Sequence, residues 1–268
     1  MSIFKNGILI VAHPDDESLF FSSILSEIST IIFCFGQIPG EEIISNGRKK
    51  AVDEFPFKDV NIINLNIPQS KSSKKPLCWL SLKDNKYGVE GGYNHINYKN
   101  NYITLKKKLN KLITSESNVI THNPWGEYGN SEHIQVFKII FNIAKEKNIK
   151  MLVSSYFSNL SISYAKRKQH FLKSESYFME TNQNLHTVLK QNYLKNRCWT
   201  WFNEYKLPLN ETFYKIDLSK DVNSNSSNRN LNFLFNYIEF RNPISQYIRD
   251  VLKQIIPDFL KNLYRQKR

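Results

Sequence analysis

The chain has 268 residues, of which 41% are hydrophobic and 23% charged, and its formal net charge is +13. That length can bury a substantial core in one large α/β domain or two small ones, and the composition excludes a disordered, collagen-like or disulfide-framed chain. No apolar run approaches the ~18 residues of a membrane-spanning helix, and the stretch from Ile8 to Ala12 is too short for a signal peptide, so a cytoplasmic location is expected.

Gly7–Val11 reads as a first, fully buried strand, and Asp16 to Ile28 as a helix with Phe20, Ile24, Leu25 and Ile28 on one face. A second strand is predicted over Thr30–Phe35, a helix over Gly47–Glu54 and a third strand over Val60–Leu65. This alternation implies right-handed crossovers and a parallel sheet. Gln69 to Asn97 carries no sustained period and reads as a long loop or lid. Tyr102, Leu105, Leu109, Leu112 and Ile113 mark a further helix, Asn118–Thr121 a fourth strand, Ser131–Lys145 a helix and Lys150–Ser155 a fifth strand. Beyond about residue 158 the pattern weakens to a helix near Asn182–Leu194, an aromatic stretch Trp199-Thr-Trp201-Phe202, a polar segment Asn223–Asn230 and an amphipathic helix near Ile244–Lys261, interrupted by Pro257. The expected fold is α/β and Rossmann-like: a mostly parallel sheet with helices on both faces and a C-terminal extension. Residues 1–158 would form the catalytic core, and 159–268 a capping extension completing the same domain.

The three cysteines, Cys34, Cys78 and Cys198, are widely spaced and odd in number, which gives neither a disulfide framework nor a Cys-x-x-Cys metal site. The positive charge favours anionic partners. Much of it lies in Lys71–Lys75, Lys106–Lys111, Lys166–Lys168 and Lys261–Arg268, and scattered lysine is ordinarily solvated surface. No nucleic-acid motif accompanies it, so nucleic acid is not an expected partner. The basic C-terminal helix is a candidate for peripheral contact with an anionic membrane, with solvated surface as the plainer reading.

The chemistry concentrates in two segments. Ala12-His13-Pro14-Asp15-Asp16-Glu17 follows the first strand directly. Carboxylates are kept off core strand ends unless a metal, a cation or chemistry holds them there. The second segment, Thr121-His122-Asn123-Pro124-Trp125-Gly126-Glu127-Tyr128-Gly129-Asn130-Ser131-Glu132-His133, follows the fourth strand. Ser131 reads as the N-cap of the next helix, which turns His133 inward with Val136, Phe137 and Ile140. If the fourth strand lies beside the first, the two loops face each other across the switch point of an open α/β sheet, where such sheets bind ligands. His13, Asp16 and His133 would then supply two imidazoles and one carboxylate to a zinc-like ion, leaving one position for water, with Asp15 uncoordinated alongside as a base. His95, His170 and His186 have no ligand-like spacing. Trp125 and Tyr128 could stack on a sugar ring, with core packing as the plainer role. Glu17 reads as a helix cap or a brace for a neighbouring Arg or His.

Ala12-His13-Pro14-Asp15-Asp16-Glu17 resembles the signature of the PIG-L/LmbE-like family of zinc-dependent N-deacetylases, and Gly126-Glu-Tyr-Gly-Asn-Ser-Glu-His133 resembles that family's second motif, Gly-His-x-x-His. The resemblance covers roughly residues 5–155. It implies a Rossmann-like fold, one zinc or other divalent ion per chain and hydrolysis of an N-acetyl group, usually on a glucosamine-containing substrate. It assigns His13, Asp16 and His133 as metal ligands, Asp15 as general base and, more loosely, Arg48 as a substrate-binding residue. One departure stands out: Asn130 occupies the position of the motif's first histidine, which in relatives stabilises the oxyanion or protonates the leaving amine. An amide can donate to an oxyanion but cannot transfer a proton. Three outcomes follow: Asp15 serves as both base and acid with Asn130 polarising the carbonyl, His122 takes over as acid, or turnover is slow or absent. Glu132 reads either as a brace for a ligand or as a first-turn acid favoured by the helix dipole. The expected activity is deacetylation of an N-acetylated amino sugar, a phosphorylated or nucleotide-linked one in view of the charge. A thiol-conjugate amidase and a glycan-binding pseudoenzyme are the competing readings, and a homo-oligomer is left open.

Overall fold

The computed structural model describes residues 2–70, 82–90, 95–115, 118–202, 204–227 and 230–240. The strands are β1 (Gly7–Val11), β2 (Ile28–Phe33), β3 (Asn61–Asn64), β4 (Lys83–Asn85), β5 (Gly88–Glu90), β6 (Val119–Thr121), β7 (Met151–Ser154), β8 (Tyr156–Ser158), β9 (Leu172–Glu180), β10 (Asn210–Ile216) and β11 (Asn236–Ile238). The helices are α1 (Asp16–Phe20), α2 (Glu42–Asp53), α3 (His95–Leu112), α4 (Gly126–Gly129), α5 (Ser131–Lys147), α6 (Ile162–Lys168) and α7 (Gln183–Lys195).

A seven-stranded sheet runs in the order β3-β2-β1-β6-β7-β10-β9. The pairs β1–β2, β2–β3, β1–β6 and β6–β7 are parallel, whereas β7–β10 and β10–β9 are antiparallel. The chain winds outward from β1 through β2 to β3 and then returns to lay β6 on β1's other side, with Leu9 opposite Ile120. That reversal puts the carboxyl ends of β1 and β6 at a switch point, where the flanking crossovers leave a crevice. Two apolar layers cover the sheet. One packs α3, α5 and α6 against it through Leu105, Leu109, Ile140 and Ala165. The other packs α1, α2 and α7 through Leu19, Ala51, Val52 and Leu189. The fold is therefore α/β with a mostly parallel central sheet and helices on both faces.

Several elements differ from the expectations. The first helix ends at Phe20, not Ile28. Ser22 Oγ and Ser23 N and Oγ donate to the buried Glu211 carboxylate, and Ile24 N bonds back to Phe21 O and Glu27 N to Ile24 O as tight turns. Ile24, Leu25 and Ile28 are still buried, so the apolar spacing satisfied a turn instead of a helix. Part of the expected loop Gln69–Asn97 is an antiparallel hairpin, β4–β5, and α3 begins within it at His95; residues 71–81 and 91–94 lie outside the described residues. Strands β9 and β10 were not foreseen. β9 is an edge strand reading Leu-Lys-Ser-Glu-Ser-Tyr-Phe-Met-Glu, exposed along most of its length, and so carries no apolar alternation. The expected C-terminal helix and basic tail, with Cys78, also fall outside the described residues. Cys34 and Cys198 are buried free thiols.

Candidate active site

The loop after β1 turns sharply at Asp15, whose φ of 111° is a strained value for a side chain other than glycine. The Asp15 N–H donates to Glu17 Oε2 at 3.0 Å, and Tyr193 Oη donates to Glu17 Oε1 at 2.7 Å. Glu17 is fully buried, and burial pushes its carboxyl up to about 8. Its role here is to brace the turn. The second loop uses Gly126 at φ 65°, where a Cβ would meet Ile134 Cγ1 at 2.8 Å, so only glycine lets the backbone pass the first turn of α5.

Three donor residues converge from these segments. His133 Nε2 lies 3.2 Å from His13 Nδ1 and 3.3 Å from Asp16 Oδ1, and His13 Nδ1 lies 3.3 Å from Asp16 Oδ2. Ligand bonds of about 2.0–2.2 Å in tetrahedral geometry put neighbouring donors about 3.3–3.6 Å apart, close to these spacings. The donor set of two imidazoles and a carboxylate suits a borderline divalent ion, so the residues fit the metal the sequence implied. His13 is 5% exposed, Asp16 2% and His133 fully buried. Burial opposes ionisation of Asp16, but His133, His13 and His122 around it hold its carboxyl well below the usual range. Burial likewise lowers His13, while Asp16 and Glu132 more than offset it.

Each imidazole is held from its far side by an acid. Glu132 Oε2 meets His13 Nε2 at 2.8 Å, and its Oε1 accepts the Ser70 N–H at 2.7 Å. Glu127 Oε2 meets His133 Nδ1 at 2.7 Å and His122 Nδ1 at 3.0 Å, while its Oε1 accepts from Ser154 Oγ and the Asn123 N–H. Such carboxylates fix the tautomer that leaves the near nitrogen free to ligate. Burial raises Glu127 while His122 and His133 pull it down, to about 2. Sequence reading passed over Glu127. The available signal was an acid between two glycines in a loop framed by His122 and His133.

His122 belongs to this support. Its ring stacks on His133 at 3.8 Å, and Nε2 accepts the Ala12 N–H at 2.8 Å. Burial lowers its pKa and Glu127 and Asp16 raise it, to about 9; the Ala12 N–H pointing at Nε2 leaves no room for a second proton there. The hydrogen bond decides the protonation state, and the ring is neutral. With both nitrogens engaged, His122 has no proton to offer a substrate.

Asp15 is 3% exposed and lies apart from the three donors. Its Oδ2 accepts from Thr200 Oγ1 at 2.6 Å and from the Thr200 N–H at 3.4 Å. Burial raises its carboxyl to about 6, with Arg48 and Thr200 opposing. Arg48 Nη2 reaches Thr200 Oγ1 at 3.4 Å. Thr200 was not singled out from sequence.

The N-cap of α5 is Asn130, not Ser131: its Oδ1 accepts the N–H of Glu132 at 2.8 Å and of His133 at 3.4 Å. Its Nδ2 donates to Tyr128 Oη at 2.8 Å, so the amide is spent on the cap and on the phenol rather than facing a substrate carbonyl. Tyr128 packs edge-on to His133, with ring centroids 5.4 Å apart, and burial raises its hydroxyl well above the usual phenol range, which keeps it a proton donor. Trp125 is fully buried and donates to Tyr156 O, which leaves no ring face for a sugar.

No family model matches the sequence. An uncharacterized protein of Acanthamoeba polyphaga mimivirus is 27% identical over 183 residues, covering 65% of this chain and 74% of that protein. Among solved structures, the zinc-inhibited form of teicoplanin deacetylase Orf2 aligns with a TM-score of 0.51 at 13% identity, covering 82% of this chain and 98% of that one. The A40926 pseudoaglycone deacetylase Dbv21 aligns with a TM-score of 0.50 at 11% identity, covering 81% and 99%. At these identities the likeness shows a shared fold. Among the described residues no helix is long and apolar enough to cross a membrane.

Proposed function

We propose that the protein is a metal-dependent hydrolase of the PIG-L/LmbE type that removes an N-acetyl group from an amino sugar. The observation that carries the reading is the convergence of His13, Asp16 and His133 from two remote segments at spacings of 3.2–3.3 Å, with the neighbouring Asp15 outside that donor set and bonded to Thr200. The fold shared with two deacetylases, one studied in a zinc-inhibited form, supports it. His13, Asp16 and His133 would hold one zinc ion per chain. When bound, the ion supplies Lewis acidity that polarises a carbonyl and acidifies water.

The protein's own groups divide the remaining work. Asp15, held near neutrality by burial and oriented by Thr200, takes the proton of the attacking water and returns it to the leaving amine. Tyr128 inherits the task first expected of Asn130: its phenol accepts from the Asn130 amide, so its own proton can point to the carbonyl oxygen as negative charge develops. Glu127 and Glu132 keep both imidazoles in their ligating tautomers. His122 sets the spacing of His133 by stacking and takes no part in proton transfer. Arg48 contacts substrate. Residues 1–158 form the catalytic core and the later residues an extension of the same domain, working in the cytoplasm on an N-acetylglucosamine-type sugar, sugar nucleotide or glycan.

Metal analysis of the purified chain, combined with free-amine release from a panel of N-acetylated sugars and sugar nucleotides with and without a chelator, tests the reading. About one equivalent of divalent metal and chelator-sensitive amine release are expected. Metal binding and sugar binding without amine release would leave the glycan-binding pseudoenzyme, and a chain that takes up no metal would end both.

A further inference from the structure

Arg48 is 2% exposed, yet among the described residues its one hydrogen bond is the long contact from Nη2 to Thr200 Oγ1 at 3.4 Å. Among the same residues its Nε and Nη1 have no hydrogen-bond partner. A guanidinium is a cation that offers only donors, and burying it with its N–H groups unmet is strongly unfavourable. The fold nevertheless goes to some length to place it there. At Gly47 a Cβ would lie 2.1 Å from Asn196 O, so α2 is pressed flat against the 196–198 segment, and this sets Arg48 beside Thr200. Asp15 is near enough to feel its charge, but Asp15 Oδ2 is taken by Thr200.

Thr200 is flanked by two more unmet groups, the buried Nε1 atoms of Trp199 and Trp201. Trp201 also packs against Tyr128, with ring centroids 5.0 Å apart, which puts it at the edge of the candidate active site. The unmet side-chain atoms of this segment and of Arg48 are all donors. A hydroxyl group entering here would bring a proton that needs an acceptor. An oxyanion brings only acceptors and also neutralises the buried cation.

We propose that Arg48, framed by Thr200 and Trp201, is the receptor for an oxyanion, phosphate or carboxylate, that the substrate carries beside its acylated amine. The word substrate rests on the hydrolase reading; the anion site itself does not.

The test is calorimetric titration of the metal-free 268-residue chain with inorganic phosphate, with acetate and with neutral N-acetylglucosamine, in wild type, Arg48→Lys and Arg48→Met. One equivalent of phosphate or acetate is expected to bind. Arg48→Lys should weaken it about tenfold or more because a point charge replaces the guanidinium fork, and Arg48→Met should abolish it. Should the methionine variant fail to fold, as judged by near-ultraviolet circular dichroism, the lysine variant carries the comparison. Binding of phosphate alone identifies a phosphorylated group, binding of acetate alone a carboxylated one, and either supports the site. Equal binding by wild type and Arg48→Lys, or no binding of either anion, overturns it. Because the titration needs neither metal nor turnover, Arg48-dependent anion binding in a chain that releases no amine would sink the hydrolase reading and leave this one standing. Turnover in a chain whose anion binding ignores Arg48 would do the reverse.

Discussion

The parallel half of the molecule, through β7, and the segment that follows it contribute to the site in opposite ways. Among the described residues, the donor group His13, Asp16 and His133, and both bracing acids, Glu127 and Glu132, come from the two segments that follow β1 and β6. Among the described residues, those after β7 contribute no donor atom to that cluster. They grip the first loop and the turn after it instead. Thr200 bonds Asp15, Tyr193 bonds Glu17, His186 Nδ1 meets Ser18 Oγ at 2.8 Å, and Glu211 accepts from Ser22 and Ser23. One region thus supplies the proposed ligands and the other holds the strained turn on which the proposed base sits. The lesson is that metal affinity and base placement are separable, and substitutions should pull them apart.

The sharpest break is at the donors. His133→Ala or Asp16→Ala should reduce bound metal from about one equivalent to near zero and abolish amine release, because two donors do not retain the ion. Metal analysis after dialysis reads this directly. Asp15→Asn should do the opposite, retaining the metal while turnover falls about 10²–10⁴-fold, the usual worth of a positioned acid–base group. If Asp15→Asn lost the metal as well, the division between the two regions would be wrong.

These two predictions rest on residues that the sequence made legible, for a physical reason. His13, Asp15 and Asp16 are contiguous and directly follow an apolar run, and His133 lies at the start of a well-patterned helix, so local signals located all four. The pairing of β6 with β1, conditional from sequence, is one of the few right-handed windings open to alternating strands and helices, and the structure has it. What was missed depends on contacts distant in sequence. Thr200 lies 185 residues from Asp15, and nothing in its neighbours marks it. Glu127 carries no local mark, because its role depends on four polar partners, Ser154 from β7, His133 from α5, and His122 and Asn123 from its own loop. Asn130 was read through the histidine it replaces, whereas its local role, capping α5, was the stronger determinant. β9 escaped because an edge strand with solvent on most sides needs no apolar alternation.

Two finer substitutions probe each side of the comparison. Glu127→Gln keeps the shape but loses the charge that holds His122 and His133, and metal affinity should fall about 10–100-fold, read by competition with a chromophoric chelator. Thr200→Val removes only the hydroxyl bonded to Asp15. It should leave metal affinity unchanged, lower kcat roughly tenfold through a misplaced base, and reduce stability by about 1 kcal/mol. Thr200→Ser should restore most of the rate. A serine variant as slow as the valine one would mean that Thr200 acts through packing alone.

The smallest expected effect lies where the two regions meet again, behind α5. Lys138 on α5 is 3% exposed and donates to Asn85 O in the hairpin. Beyond it, Lys168 on α6 pairs with Asp84 at 2.9 Å, and Tyr164 donates to the same carboxylate at 2.7 Å. Burial pushes the Lys138 amine down to about 8, with Lys168 adding to the shift and Asp84 opposing it. An unfolded chain holds that proton up to the ordinary lysine value of about 10.4. Between those limits the unfolded state binds more protons than the folded one, so stability rises as pH increases from about 8 and is lowest below it. Urea midpoints between pH 7 and 10 should therefore climb in wild type relative to Lys138→Met, in which the titrating group is gone, by on the order of 1 kcal/mol across the range. Parallel curves for the two proteins would mean that the Lys138 ammonium is as well solvated in the fold as in the open chain.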